Sequence, residues 1–190
     1  IYSYYRKKIA KWATHYFACS EAAARWMFPN SILDANKSKI IYNGIDIERF
    51  AFDEKARDEI RQEYSLNGKY VLAHTGRFLD QKNHRFIIEI FRDVKKKCPE
   101  AKLMLLGTGD LLDEIKKIVT NYNLEDDVLF MGVRSDVNKF LCAADCFLMP
   151  SLYEGLPVAA VEAECSGLPC IFSDCITSEV ALTNNVTFLS

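Results

Sequence analysis

From residue 70 onward the sequence alternates between short apolar runs and longer amphipathic stretches, and this alternation limits the folds available to the chain. The apolar runs predict strands, and the stretches between them predict helices. Near-continuous apolar strands that alternate with helices are typical of a parallel sheet covered on both faces. The sequence therefore predicts an α/β fold with a doubly wound parallel sheet. The predicted strands are 70–75, 102–107, 128–132, 146–149, 169–173 and 186–189, and the predicted helices are 83–97, 111–121, 136–143, 157–166 and 177–182.

The first 68 residues are less regular. A strand is predicted at 16–20, a helix at 21–28, and a second strand at 39–46 that runs into an Asn-Gly turn. The charged stretch 47–68 predicts a loop and one surface helix. Aromatic and basic side chains are mixed through residues 1–28, which leaves two interpretations open. One is a membrane-surface helix, and the other is an ordinary helix packed on a domain that is only partly present.

Composition excludes several classes of protein. A net charge of −2 argues against a nucleic-acid partner, which needs a basic surface. No run approaches the roughly 20 apolar residues of a membrane span. The seven cysteines form no Cys-x-x-Cys pair, and the three histidines are not spaced as metal ligands. Free thiols in a reducing compartment are therefore favoured over a disulfide or zinc framework, and no metal or cofactor is expected.

In a doubly wound sheet, ligands bind at the carboxyl ends of the strands, where the strand order reverses. The loop after the strand at 70–75 contains Gly76, Arg77 and Lys82. Glycine allows close backbone approach, and two cations beside a helix start make a clamp for a diphosphate. The alternative is a polar loop with two solvated charges.

Two further loops carry weaker signals. Gly107 and Gly109 lack the third glycine of a dinucleotide fingerprint, because position 112 is leucine, so an NAD site is disfavoured. A plain turn with Asp110 capping the next helix explains the pair as well. The loop at 132–134 could let a flat base rest on its backbone, with Val133 and Arg134 beside it.

The stretch from Ser151 to Cys170 holds two carboxylates, Glu154 and Glu162, around a predicted helix start at Pro157. Proline suits the first turn of a helix, where its missing N–H would have had no partner. The N–H groups of Val158 and Ala159 are then free to bind an anion, above all a phosphate. One carboxylate lies before the helix and the other about one and a half turns inside it.

These motifs together resemble the family 4 retaining glycosyltransferases, and the resemblance covers nearly the whole chain. It is carried by Tyr42-Asn-Gly-Ile-Asp46, Gly76-Arg77 with Lys82, Glu154-Gly-Leu-Pro with Glu162, and Gly167-Leu-Pro169. The resemblance implies the GT-B fold, in which two Rossmann-like domains hold a nucleotide-sugar between them. Residues 39–190 would be the C-terminal, donor-binding domain, ending before its terminal helices. Residues 1–38 would be the tail of the N-terminal, acceptor domain.

The resemblance also implies a role for each site residue. Arg77 and Lys82, after Gly76, would hold the donor diphosphate and neutralise the leaving group. Glu162 would bind the ribose hydroxyls. Glu154, with the backbone N–H groups of Gly155 and Leu156, would hold the transferred sugar, and the N–H of Val158 would meet phosphate. Val133 and Arg134 would border the base.

The expected activity is a metal-independent, retaining sugar transfer, in agreement with the lack of an Asp-x-Asp triplet. The expected donor is a UDP-sugar, and the expected acceptor a glycan or a lipid-linked sugar in polysaccharide biosynthesis. The intact enzyme would be cytoplasmic, with peripheral association at the inner face of the membrane. This chain alone would bind the nucleotide and transfer little or no sugar. A nucleotide-sugar epimerase of the same fold and a non-catalytic nucleotide-binding domain remain as alternatives.

Overall fold

The structure is a computed structural model that describes Tyr5, Lys8 and residues 11–190, and a six-stranded parallel sheet dominates it. Its strands are β3 (Val71–Thr75), β4 (Lys102–Leu106), β5 (Val128–Gly132), β6 (Cys146–Met149), β7 (Cys170–Ser173) and β8 (Val186–Leu189). All six lie where the apolar runs predicted them. The strand order is β5-β4-β3-β6-β7-β8, and every neighbouring pair is parallel.

This strand order confirms the doubly wound, Rossmann-like fold. The chain builds outward from β3 through β4 to β5, then returns to the other side of β3 and builds outward again through β8. The reversal lies between β3 and β6, which pair at Leu72 with Cys146 and at Ala73 with Phe147. The loops that follow these two strands therefore leave the sheet side by side.

Helices cover both faces of the sheet and explain why its strands are apolar at successive positions. Leu103 and Leu105 of β4 pack in one buried cluster, with Ile87 and Phe91 of a covering helix. Met104, from the same strand, packs in a second cluster on the opposite face. Burying each such side chain contributes about 1.5–3 kcal/mol. The covering helices are His84–Lys97, Leu112–Asn121, Val137–Ala143 and Val158–Cys165.

The prediction of one surface helix in 47–68 was wrong. Two helices form there, Ile47–Phe50 and Glu54–Glu63, and the second packs closely against the domain. Arg61 is only 7% exposed, and it donates to the carbonyl oxygen of Ala143 at 2.8 Å and to Asp145 at 3.2 Å. The sequence predicted a solvated helix because this face carries arginines, but the arginines are paired and the face is buried. The helix predicted at 177–182 is a single 3-10 turn, Ser178–Val180.

The N-terminal segment forms a small unit of its own. Strand β1 (Tyr16–Ala18) pairs in parallel with β2 (Ser38–Ile40) in a two-stranded sheet, with helices Glu21–Met27 and Asn30–Leu33 between them. The side chains of its core are Tyr16, Ala24, Phe28 and Ile32.

The sequence placed a domain boundary between residues 38 and 39, and strand β2 runs across that position. The division into two domains stays a prediction. Residues 41–46 have no regular structure. Of the aromatic and basic stretch at 1–28, residues 1–4, 6, 7, 9 and 10 lie outside the described residues, and the choice between its two interpretations stays a prediction.

Candidate active site

The loops after β3 and β6 are bonded to each other at the point where the strand order reverses. The backbone N–H of Leu152 donates to the carbonyl oxygen of Gln81 at 2.9 Å, and the Gln81 side chain donates to the carbonyl oxygen of Tyr153 at 2.9 Å. Asn83 follows the 3-10 turn Asp80–Lys82 with φ 56°, and its side chain reaches the carbonyl oxygen of Pro150 at 3.3 Å. These bonds hold the predicted phosphate loop against the predicted sugar loop.

Lys82 and Glu154 form an ion pair across these loops. Lys82 Nζ lies 2.7 Å from Glu154 Oε1, and Gln81 Nε2 donates to the other oxygen at 3.1 Å. The two charged side chains are 17% and 9% exposed, so little water screens the pair. The sequence predicted both residues for the site, but it gave no sign that they bind each other. Gln81 was missed because its role depends on this long-range contact.

Arg77 lies in a neighbouring cleft formed by three successive strand ends. The cleft has a volume of about 410 Å³ and brings Gly76 and Arg77 beside Val133 and Arg134. The roles of these residues toward a diphosphate and a base stay predictions. Arg77 is exposed, and no ion pair joins it to another residue of the described chain. The remaining lining residues are Thr75, Leu106, Gly107, Thr108 and Val137.

Arg134 is engaged within its own loop. Its Nε and Nη2 donate to the two carboxylate oxygens of Asp136, each at 2.9 Å, and its guanidinium carbon lies 4.9 Å from the centre of the Phe140 ring. The hydrogen bonds from Arg134 lower the pKa of the Asp136 carboxyl below its usual range. Val133 beside it is 76% exposed and offers an apolar surface to the cleft.

The glycines near the cleft serve backbone packing. Gly107 has φ 131°, and a Cβ there would lie 2.1 Å from the carbonyl oxygen of Gly76. A Cβ on Gly109 would lie 2.6 Å from the carbonyl oxygen of Phe78. Both glycines let the loop after β4 press on the loop after β3.

The loop before the Val158–Cys165 helix presents free backbone N–H groups. Within the described chain, no residue accepts a hydrogen bond from the N–H of Gly155, Leu156, Val158 or Ala159. Pro157 precedes the helix with φ −72° and contributes no side-chain cap. The groups predicted to meet sugar and phosphate are therefore available.

Glu162 is half-buried on the same helix, and its carboxylate makes no hydrogen bond within the described residues. Burial raises the pKa of Glu162, while the charge of Arg49 lowers it in part. Arg49 lies in the Ile47–Phe50 helix and donates to the carbonyl oxygen of Ser135, next to the Arg134 loop. The sequence analysis missed Arg49, because nothing distinguishes it among the charges of 47–68.

Two buried histidines lie beneath the Gly76–Lys82 loop. The Nδ1 of His74 is 2.8 Å from the carbonyl oxygen of Leu148 and is therefore the protonated nitrogen. Its ring meets that of His84 edge-on at 4.9 Å. Burial, then the neighbouring charges, lower the pKa of His74 to about 3 and that of His84 to about 4. Both rings are neutral at pH 7. The sequence feature that could have indicated a buried histidine is the position of His74 inside the apolar run at 70–75.

No group of three or more His, Cys, Asp or Glu side chains within the described residues could hold a metal ion. All seven cysteines are free thiols, and Cys142, Cys146 and Cys170 are buried. Across the same part of the chain, no helix combines the length and apolar character needed to cross a membrane.

Comparison with known proteins decides the family. The family model of the glycosyl transferases group 1 matches residues 56–189. The chain belongs to this family. As a group 1 glycosyl transferase, it is 39% identical over 177 residues to a putative glycosyltransferase, EpsF, of Bacillus subtilis, covering 93% of this chain and 46% of EpsF.

Two further proteins are similar to this chain. The chain is 34% identical over 146 residues to the UDP-Gal:α-D-GlcNAc-diphosphoundecaprenol α-1,3-galactosyltransferase of Escherichia coli, covering 75% of this chain and 38% of that enzyme. It superposes on HepE of Anabaena, solved with UDP and glucose, with a TM-score of 0.86 at 20% identity, over 100% of this chain and 52% of HepE. The fold is therefore that of the GT-B C-terminal domain. This chain spans less than half the length of these two sequence relatives.

Proposed function

We propose that this chain is the donor-binding half of a glycosyltransferase that moves a sugar from a UDP-sugar to a glycan or a lipid-linked acceptor. The observation that carries the proposal is the Lys82–Glu154 ion pair at the strand reversal, with unbonded backbone N–H groups beside it and Arg77 in the neighbouring cleft. UDP is favoured because HepE was solved with it, and the name of the E. coli relative specifies UDP-Gal and a diphosphoundecaprenol acceptor.

The chemistry divides among these groups. When the anomeric C–O bond breaks, its electron pair goes to the departing diphosphate, whose charge Arg77 and Lys82 neutralise without a metal ion. Glu154 and the N–H groups of Gly155 and Leu156 hold the sugar, and Glu162 binds the ribose. Arg134, being paired with Asp136, shapes the edge of the base site with Val133. The transfer retains the anomeric configuration.

We further propose that the intact protein works in the cytoplasm in polysaccharide biosynthesis. A lipid-linked acceptor would require peripheral association with the inner face of the membrane.

Calorimetric titration of this chain with UDP and GDP tests the donor site. We expect UDP to bind. Lys82→Ala should lower the affinity for UDP and for pyrophosphate about tenfold each, because a charge-assisted hydrogen bond to phosphate is lost. Lys117→Ala, which removes an exposed lysine of the Leu112–Asn121 helix, is the matched control and should leave both affinities unchanged. If neither nucleotide binds at millimolar concentration, the assignment is wrong.

A further inference from the structure

A carboxylate from the 3-10 turn Ser178–Val180, which lies between β7 and β8, caps a helix of the N-terminal unit. Glu179 accepts hydrogen bonds from the backbone N–H of Glu21 at 3.0 Å and of Ala22 at 3.1 Å, the first two residues of the Glu21–Met27 helix. The Thr177 hydroxyl donates to the same carboxylate at 3.1 Å. Although burial raises the pKa of Glu179, the backbone hydrogen bonds from Glu21 and Ala22 leave it below its usual range. The cap is therefore ionised at neutral pH.

The same helix turn is bonded to the predicted sugar loop through Ser20. This serine is fully buried, and its hydroxyl accepts from the N–H of Ala23 at 3.0 Å while donating to the carbonyl oxygen of Gly155 at 3.1 Å. Contact is close here, because a Cβ added at Gly155 would lie 3.3 Å from that of Ala23. One hydroxyl thus joins the first helical turn to the residue after Glu154.

The bond to Gly155 sets the direction of the next N–H group. The carbonyl of Gly155 and the N–H of Leu156 belong to one planar trans peptide, so they point in opposite directions. With the carbonyl held toward Ser20, the N–H of Leu156 points away from Ser20, and no described residue accepts its hydrogen bond. A second bond, from the Asn43 side chain to the carbonyl oxygen of Leu156 at 3.3 Å, fixes the following peptide.

We propose that Ser20 and Glu179 are positioning residues that orient the Leu156 N–H toward the transferred sugar. Glu179 fixes the helix turn, the turn fixes Ser20, and Ser20 fixes the peptide between Gly155 and Leu156. Neither side chain touches the ligand. This inference rests on the proposed function, since it assigns the sugar to the loop after Glu154.

The test is the gain in affinity that a sugar adds to UDP. Titration of this chain with UDP and with UDP-glucose, UDP-galactose and UDP-N-acetylglucosamine identifies the sugar with the largest gain. We expect Ser20→Ala to cut that gain about fivefold and to change the affinity for UDP less than twofold. Glu179→Gln, which keeps the shape of the side chain, should cut the gain about threefold.

Asp53→Ala is the matched control. Like Ser20, Asp53 caps a helix by accepting a hydrogen bond from a backbone N–H three residues later, here that of Ala56 at 3.2 Å, but its helix Glu54–Glu63 lies away from this loop. It should lower stability without changing the gain. An equal loss of gain in Asp53→Ala, or a full gain in Glu179→Gln, would overturn the proposal. If UDP binds but no sugar adds affinity, this inference fails and the nucleotide site stands. If UDP itself does not bind, the proposed function fails first.

Discussion

Lys82 Nζ lies 2.7 Å from Glu154 Oε1, so the cation assigned to the diphosphate and the carboxylate assigned to the sugar are bound to each other. Both side chains are mostly withdrawn from water, which strengthens their attraction. Glu154 therefore offsets the Lys82 charge that a phosphate would meet, and its own negative charge repels the phosphate. Removing the Glu154 charge should therefore tighten phosphate binding.

Glu154→Gln should tighten the binding of pyrophosphate about threefold while weakening the binding of a UDP-sugar relative to UDP. The amide keeps the shape of the side chain but no longer holds the Lys82 charge, which is then free to meet phosphate. Calorimetric titration of the unmodified chain and of Glu154→Gln with pyrophosphate, UDP and a UDP-sugar measures both effects. Glu125→Gln, at an exposed position, should change neither affinity. Weaker pyrophosphate binding in Glu154→Gln would show that Glu154 does not offset the Lys82 charge.

Glu162→Gln should weaken UDP about tenfold and pyrophosphate less than twofold. The half-buried carboxylate makes no other hydrogen bond in the described chain, so its acceptor capacity is available to the ribose hydroxyls. Charge-assisted hydrogen bonds of this kind contribute about 1.5–3 kcal/mol. Pyrophosphate has no ribose and serves as the internal control. Equal losses for both ligands would remove the ribose assignment.

The stability of the protein should fall as pH drops from about 6.5 toward 4, in part because of His74 and His84. Their pKa values are about 3 and about 4 in the folded chain, below the ordinary value of 6.5. Between these values the unfolded chain binds protons that the folded chain does not. Their stabilising contribution is therefore complete above pH 6.5 and is lost as pH falls, by up to about 1.4 kcal/mol per pH unit for each histidine.

Urea denaturation at about pH 7, 5.5 and 4.5 measures this dependence. His84→Phe keeps an aromatic ring against Phe78, whose ring centre lies 4.0 Å away, and should flatten the dependence. His15→Phe changes the exposed third histidine and should leave the slope as it is. Identical slopes in all three proteins would mean that the buried pair does not contribute.

Gly107→Ala should lower the free energy of unfolding by about 3 kcal/mol. Its φ of 131° is strained for alanine, and the added methyl would overlap the Gly76 carbonyl at 2.1 Å. Gly44→Ala is the control, because a Cβ there meets nothing within 4 Å. Urea denaturation compares the two, and a loss below about 1 kcal/mol for Gly107→Ala would mean that the two loops move apart easily.

Local patterns predicted what local physics determines. The strands were found because buried parallel strands are apolar at each position, and the start of the Val158–Cys165 helix because Pro157 favours a first turn. Pairings between distant residues were not predictable. The Glu179 carboxylate accepts a hydrogen bond from the backbone N–H of Glu21, and Asp145 pairs with Arg57 and Arg61, across stretches that no sequence period links. For the same reason, the sequence predicted that the charged side chains of 47–68 are solvated, although Arg57 and Arg61 are paired with Asp145 just before β6.

The position of β3 at the centre of the sheet also bears on how the chain leaves the ribosome. Its partner β4 emerges soon after it, but β6, on its other side, follows only after β5 and the Val137–Ala143 helix. Until then, this buried central strand has one side with unsatisfied backbone groups, which can pair with another nascent chain. We expect slow synthesis between residues 106 and 146, or chaperone depletion at that stage, to favour aggregation more than the same delay after residue 149.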